Sequence, residues 1–430
     1  MKASNPLQSD PRSRPRPFTF YSPKLNPLVI AVCKWITPMV IRNKLKVTRV
    51  KISAQDIAGL AVLKGKRCLL LPSHSGGFEP HIIIYLSARL RESYNYLAAV
   101  ETFTRSPLNA WFMRRIGAYS IIRGAADRPS FQMTRQLLVE GRRGLVIFPE
   151  GQTVWQNDTV IPFQQGVVQL AFKAYEEIVK GDAEASLPCV PIAVKYVYLK
   201  DMREEMAASL ARLESRLFKP GDGVPGSLYQ RLRRAGQAVL IANEKMHDAA
   251  PREGDSFDDR IQRMKETIVR RLEERLDITP RADQQLLERV RALFNAADRI
   301  VYDEDTGMSE YERKLLEERR QAARDLYDDL WRVLQFVAIY YGYVRENLTV
   351  ERFMDVLCLL EMEVFGVRRI WGPRMAVVRV GEPLDLKDRF AAYRSDKRET
   401  ARGVTVELES SVRDMLAGLA AAHGNPISFD

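Results

Sequence analysis

Cysteine and histidine are both scarce in this chain of 430 residues, with four of each. Cys33, Cys68, Cys189 and Cys358 are far apart and form no CxxC pair. That argues against a disulfide scaffold and against the common zinc spacings, and it predicts reduced thiols in a cytosol-facing protein. No apolar run approaches the roughly 20 residues that span a bilayer. Pro27–Ile41 is mostly apolar, but Lys34 and Pro38 interrupt it, and no small-residue cleavage site of a secretory leader follows. Internal repeats are absent. What remains is ordinary globular composition, 46% apolar and 28% charged, enough for a sizeable core in about two or three domains.

The net charge of +11 is unevenly spread. Residues 1–60 hold eleven Lys or Arg and two acids, so the other 370 residues are nearly neutral. Coating by nucleic acid needs basic surface elsewhere, so no nucleic-acid partner is expected. Residues 1–26 are proline-rich and aperiodic, and read as a disordered basic arm. The apolar run that follows, flanked by Lys24 and by Arg42, Lys44, Lys46, Arg49 and Lys51, has the two signals of a reversible membrane anchor. Residues 27–52 are therefore expected to be an interfacial segment at the cytoplasmic face of a membrane, peripheral or monotopic. A first core helix with a basic tail is the alternative.

From Ala61 short apolar runs alternate with amphipathic stretches. The runs are CLLLP at 68–72, YNYLAAV at 94–100, GLVIFP at 144–149 and LPCVPIAVKYVYL at 187–199. Buried strands separated by helices imply an α/β fold with a mostly parallel sheet over residues 53–200. Residues 201–370 are charged and helical, with capping patterns at Ser256/Asp259 and Ser309/Glu312. A tyrosine-rich apolar stretch, Leu334–Val344, suits a buried helix or a lipid contact. Strand texture returns with MAVVRVGEPLDL at 375–386 and a closing helix. Residues 371–430 either begin a third domain or rejoin the first sheet; the second option makes 201–370 a large helical insertion.

His74 lies in LLLPSHSGGFEPH, where a buried strand opens into a glycine-bearing loop. Parallel α/β folds place reactive groups at that edge. Glu79, five residues on, is within reach of one ring nitrogen and would leave the other as a general base; alone, the pair equally suits a structural histidine. Arg123 ends the run GAYSIIR, and Glu150 ends LVIFPE, so three polar groups sit at three strand ends. His74, Glu79 and His81 lack helical metal spacing and a fourth ligand, so no metal is expected. Without a GxSxG elbow, covalent serine catalysis is disfavoured.

The order of blocks resembles the lysophospholipid (glycerolipid) acyltransferases, which include 1-acylglycerol-3-phosphate acyltransferase. It is carried by His74-SGGF-Glu79, by GAYSIIRG at 117–124, by Phe148-Pro149-Glu150-Gly151 and by Val190-Pro191-Ile192, with IPFQQGVVQLA at 161–171 between. The resemblance implies transfer of a fatty acyl group from an acyl thioester, acyl-coenzyme A or acyl carrier protein, to a hydroxyl of a lysolipid or glycerol-phosphate-like acceptor, with no other cofactor. His74 would be the base and Glu79 its partner. Arg123 would take the acceptor phosphate, and Glu150 would position acceptor hydroxyls or hold Arg123. Ser75, Gly76, Phe148, Pro149 and Gly151 would line the substrate site. Three departures stand out: Glu79 replaces the usual Asp, and Gln152 and Gln165 stand near positions where the family often has cations. They widen the acceptor class to other lysolipids, hydroxyls or amines. They also leave room for a non-catalytic lipid-binding scaffold on the same fold.

Overall fold

The computed structural model describes residues 20–123, 127–219, 226–301, 308–338 and 348–425. Most of the arm (residues 1–19) and most of the Leu334–Val344 stretch lie outside the described residues. The apolar runs become β2 (Leu69–Pro72), β3 (Asn95–Ala99), β5 (Leu145–Val146) and β6 (Pro188–Tyr198), and GAYSII supplies β4 (Ala118–Ile121). With β1 (Val47–Ile52), β7 (Arg374–Val380) and the short β8 (Leu384–Asp385) they form one sheet in the order β1-β7-β6-β2-β5-β3-β4, with β8 on β6. All neighbours from β6 to β4 are parallel, and β7 runs antiparallel to β6 and parallel to β1. The sheet is thus mixed but mostly parallel, and the chain folds as an α/β protein. Because β2 to β6 point the same way, their carboxyl ends share one edge.

Alternation sets the two faces of the sheet. Leu69 and Leu71 enter the core beneath α6 (Arg128–Glu140) and α7 (Gln165–Gly181), whereas Leu70 packs with Ile82, Ile83 and Leu86 of α3 (Glu79–Leu90). Every residue of β6 is buried, as expected of a strand covered on both faces. Between β6 and β7 come seven described helices: α8 (Arg203–Leu217), α9 (Leu228–His247), α10 (Phe257–Leu276), α11 (Leu286–Val301), α12 (Glu310–Asp325), α13 (Tyr327–Ala338) and α14 (Val350–Phe365). They are a large helical insertion with its own apolar core, which includes Val154, Ile161 and Tyr198 of the sheet domain. Ser256 and Ser309 open α10 and α12 with capping boxes. The apolar stripe from Leu315 onward spans two helices, broken at Leu326, whose N–H turns back to the carbonyls of Ala323 and Arg324. After β7, α15 (Leu386–Ser395) and α16 (Lys397–His423) pack against α7 and β6.

Two boundaries differ from the sequence expectation. Residues 20–26 are not part of a disordered arm but are tied to the core. Tyr21 exchanges hydrogen bonds with Ser120, and Lys24 and Asn26 donate to the carbonyls of Arg114 and Arg115. Residues 47–52 of the expected interfacial segment are β1, a sheet strand beside β7. What remains of that segment is α1 (Pro27–Asn43), capped by Asn26, whose side chain accepts from the amides of Leu28 and Val29. Among the described residues no helix is long and apolar enough to cross a membrane.

Candidate active site

The site is built where β2 ends. His74 Nδ1 lies 3.0 Å from Glu79 Oε2, and the other Glu79 oxygen accepts the Gly76 amide at 2.8 Å. Glu79 is the first residue of α3 and has no exposed surface, whereas the His74 side chain keeps 19% of its own. Burial alone would raise the Glu79 carboxyl; the His74 hydrogen bond and charge, with the Gly76 amide, outweigh it and hold the group below its ordinary value. The longer carboxylate fits because Gly76 has no side chain: a Cβ there would stand 2.9 Å from Glu79 Oε1 and 3.2 Å from the Tyr196 ring. Phe148 lies beside the imidazole, with ring centroids 4.3 Å apart, and restricts its rotation.

The loop after β5 braces the same turn. Glu150 is fully buried, and its two oxygens accept the amides of His74 (2.7 Å) and Ile161 (3.2 Å). Burial pushes its carboxyl up to about 8 against the pull of those amides. Glu150 therefore acts on His74 through the backbone. Arg123 is held elsewhere, by the Gly151 carbonyl at 3.3 Å and by Glu101 Oε1 at 3.1 Å. Gly151 has φ +72°, and a Cβ there would overlap the Gln164 side chain at 1.8 Å. The Pro149 carbonyl accepts the Gln164 amide, which closes the loop onto α7. Ser75 is buried within the His74 turn.

The structure thus brings His74, Glu79, Ser75, Gly76, Phe148, Pro149, Glu150 and Gly151 together, with Arg123 on the far side of the Glu150–Gly151 turn. It adds residues that sequence reasoning missed. Glu101 is the second residue of α4 (Val100–Thr104), which follows β3 directly, so the strand-end rule that singled out Arg123 and Glu150 would have found it. Arg368 precedes β7, donates to the Gly76 carbonyl at 3.1 Å and lies over the rings of Phe78 and Trp155. Arg291 and Asp298 come from α11. Nothing local in the sequence marks these three. Among the described residues no group of three or more His, Cys, Asp or Glu could hold a metal ion.

The carboxyl edge of the parallel strands thus carries a reachable imidazole backed by a buried carboxylate, an arrangement suited to taking a proton. The family model described as Acyltransferase matches residues 49–195, from β1 into β6. That segment is similar to the acyltransferase family, the same family that the motifs resemble. No curated protein matches the chain.

Proposed function

We propose that the protein moves a fatty acyl group from an acyl-coenzyme A or acyl carrier protein thioester to a hydroxyl of a lysophospholipid or glycerol-phosphate-like acceptor, in phospholipid synthesis or remodelling. The observation that carries this reading is the His74–Glu79 pair. With Nδ1 turned to Glu79, Nε2 is the nitrogen left to take the acceptor's proton. The acceptor oxygen then bonds to the thioester carbonyl carbon, the C–S bond breaks, and the imidazolium returns its proton to the departing thiolate. Glu79 stabilises the imidazolium, and holding base and hydroxyl together removes much of the entropic barrier.

Arg123 is the group proposed to meet the acceptor phosphate, exchanging part of its ion pair with the half-exposed Glu101 for charge-assisted bonds to the phosphate. Arg123→Ala is expected to raise the KM of a phosphate-bearing acceptor about tenfold, the scale of one hydrogen bond to a charged group, with the KM of the thioester little changed. Steady-state kinetics with each substrate varied in turn checks this. Equal effects on both substrates would contradict the role.

A surface on α1 supports a lipid acceptor, and the cytoplasmic face of a membrane is part of the same proposal. Its inner face, Cys33, Thr37 and Ile41, is buried, while Leu28, Val32, Trp35 and Met39 form an outward stripe, Trp35 at 81% exposure. Leu108 and Trp111 of the neighbouring α5 (Pro107–Arg115) are also exposed, and Lys24, Arg42, Lys44 and Arg105 lie exposed around this region of the chain. Trp35→Glu is expected to weaken binding to anionic vesicles about tenfold or more, the loss of one interfacial aromatic of roughly 1.5–3 kcal/mol. Flotation with phosphatidylglycerol vesicles measures it; undiminished binding would move the contact elsewhere.

A further inference from the structure

The insertion meets the sheet domain along the loop that joins β5 to α7. On α11, Arg291, Phe294 and Asp298 are spaced i, i+3, i+7 and share one face. Arg291 Nη2 donates to the Glu150 carbonyl at 3.2 Å and to the Pro162 carbonyl at 2.6 Å, bridging the two ends of the loop. Phe294 packs edge-on against Trp331, at 5.3 Å between centroids, and Trp331 stacks on Trp155 of the loop at 6.4 Å. The Asp298 carboxyl, which accepts from the Tyr327 hydroxyl, faces Glu101 and Arg123. Val154 and Ile161 of the loop are buried in the insertion's own core.

We infer that Arg291 is a positioning residue of the acyl-transfer site, fixing the Glu150 turn and through it the backbone of His74, so that the insertion is a working part of the active site. This rests on the acyl-transfer reading above. Arg291 grips the main chain of Glu150, and the Glu150 side chain grips the amides of His74 and Ile161. Arg123 meets the adjoining Gly151 carbonyl. The turn is therefore held by one arginine from the sheet domain and one from the insertion, and the imidazole-bearing residue hangs from it.

Electrostatics gives the role a signature that packing alone lacks. Arg291 faces Glu150, Glu409 of α16 and Glu288 of its own helix. Burial pushes Glu150 upward and Glu79 adds to that, while the His74 and Ile161 amides and Arg291 oppose it. Without a positive charge at 291 the Glu150 carboxyl rises further and holds its proton to higher pH. A protonated carboxyl has one good acceptor oxygen where two amides need one each. A rate limb that follows Glu150 ionisation therefore moves to higher pH.

The test uses the full chain as wild type, Arg291→Gln and Arg291→Lys, with kinetics from about pH 6 to 10 and hydrogen exchange of peptides covering 148–163. Arg291→Gln is expected to lower kcat roughly 10- to 100-fold, the range for losing charge-assisted hydrogen bonds. It should leave the thioester KM unchanged and shift the pH limb alkaline. Arg291→Lys keeps the charge, so it restores the pH position but only part of the rate. Exchange should quicken in 148–163 while β6 and α3 stay protected. An unchanged kcat and pH profile in Arg291→Gln overturns the proposal, as does faster exchange confined to α8–α14. If the wild type transfers no acyl group, the acyl-transfer reading fails on its own. The exchange comparison then decides alone whether Arg291 fixes the turn.

Discussion

Replacing His74 with alanine is expected to reduce acyl transfer about 10³-fold, within the usual range for a general base. The Ala variant also has a structural consequence. Glu79 has no exposed surface, and removing the imidazole strands one of its oxygens without a donor. Burial then dominates, so the Glu79 carboxyl is expected to rise and some stability to be lost, about 1–3 kcal/mol for one unsatisfied buried group. His74→Asn separates the two effects, because its amide can still donate to Glu79 while it has no nitrogen that accepts a proton. Asn should match Ala in lost turnover and exceed it in melting temperature. Turnover within about tenfold of wild type in His74→Asn would contradict the base assignment.

Asp158→Ala is expected to destabilise the fold by about 3–5 kcal/mol, the cost of breaking a buried ion pair from one side. Asp158 sits on the loop after β5 and pairs with Lys195 of β6, which has no exposed surface. Its second oxygen binds Arg352 Nε of α14 at 3.1 Å. One carboxylate thus neutralises a buried ammonium and ties the insertion to the sheet. Without it Lys195 loses its ion-pair partner inside a strand covered on both faces, with the charge of Glu351 as the counter-charge nearby. Adding Lys195→Met to the variant should recover much of the loss, because replacing both partners with apolar groups is often nearly neutral. Urea unfolding of the single and double variants measures both steps. A loss below about 1 kcal/mol in the single variant, the scale of a surface pair, would mean that water reaches Lys195.

Much of the sheet was legible because its strands are buried on both faces. LLLP is an unbroken apolar run and PCVPIAVKYVY is one interrupted only by Lys195, and β6 occupies the whole of the second. In GLVIFP only Leu145 and Val146 form a strand, because the chain turns away toward Pro149, which has no amide to donate to a ladder. The place of β7 was not legible. It pairs with β1 and β6 across the whole insertion, a long-range registration that no local pattern fixes, and sequence left both a third domain and a return to the sheet open.

The site divides in the same way. His74 and Glu79 meet within one turn, so their spacing sufficed to suggest them. The bond from the His74 amide to Glu150 joins residues 76 positions apart, and only the shared strand edge hinted at it. Arg291 lies among many charged residues on amphipathic helices whose pattern reports solvent-facing sides. What distinguishes it is a contact with two carbonyls of a distant loop. Both oxygens of Glu150 face backbone amides rather than an acceptor, which its position at a strand end could not reveal.

The proposed reaction is acyl transfer from a thioester to a lysolipid hydroxyl. The most direct measurement follows thiol release and diacyl product together, with purified full-length protein, a long-chain acyl thioester of each donor type and a panel of lysolipids in vesicles. Thiol and diacyl product are expected in equal amounts with wild type, and both are expected to fall about 10³-fold with His74→Asn. Thiol release without diacyl product would mean hydrolysis instead. Lipid binding with no turnover from either donor would contradict catalysis and favour a lipid-binding scaffold on this fold.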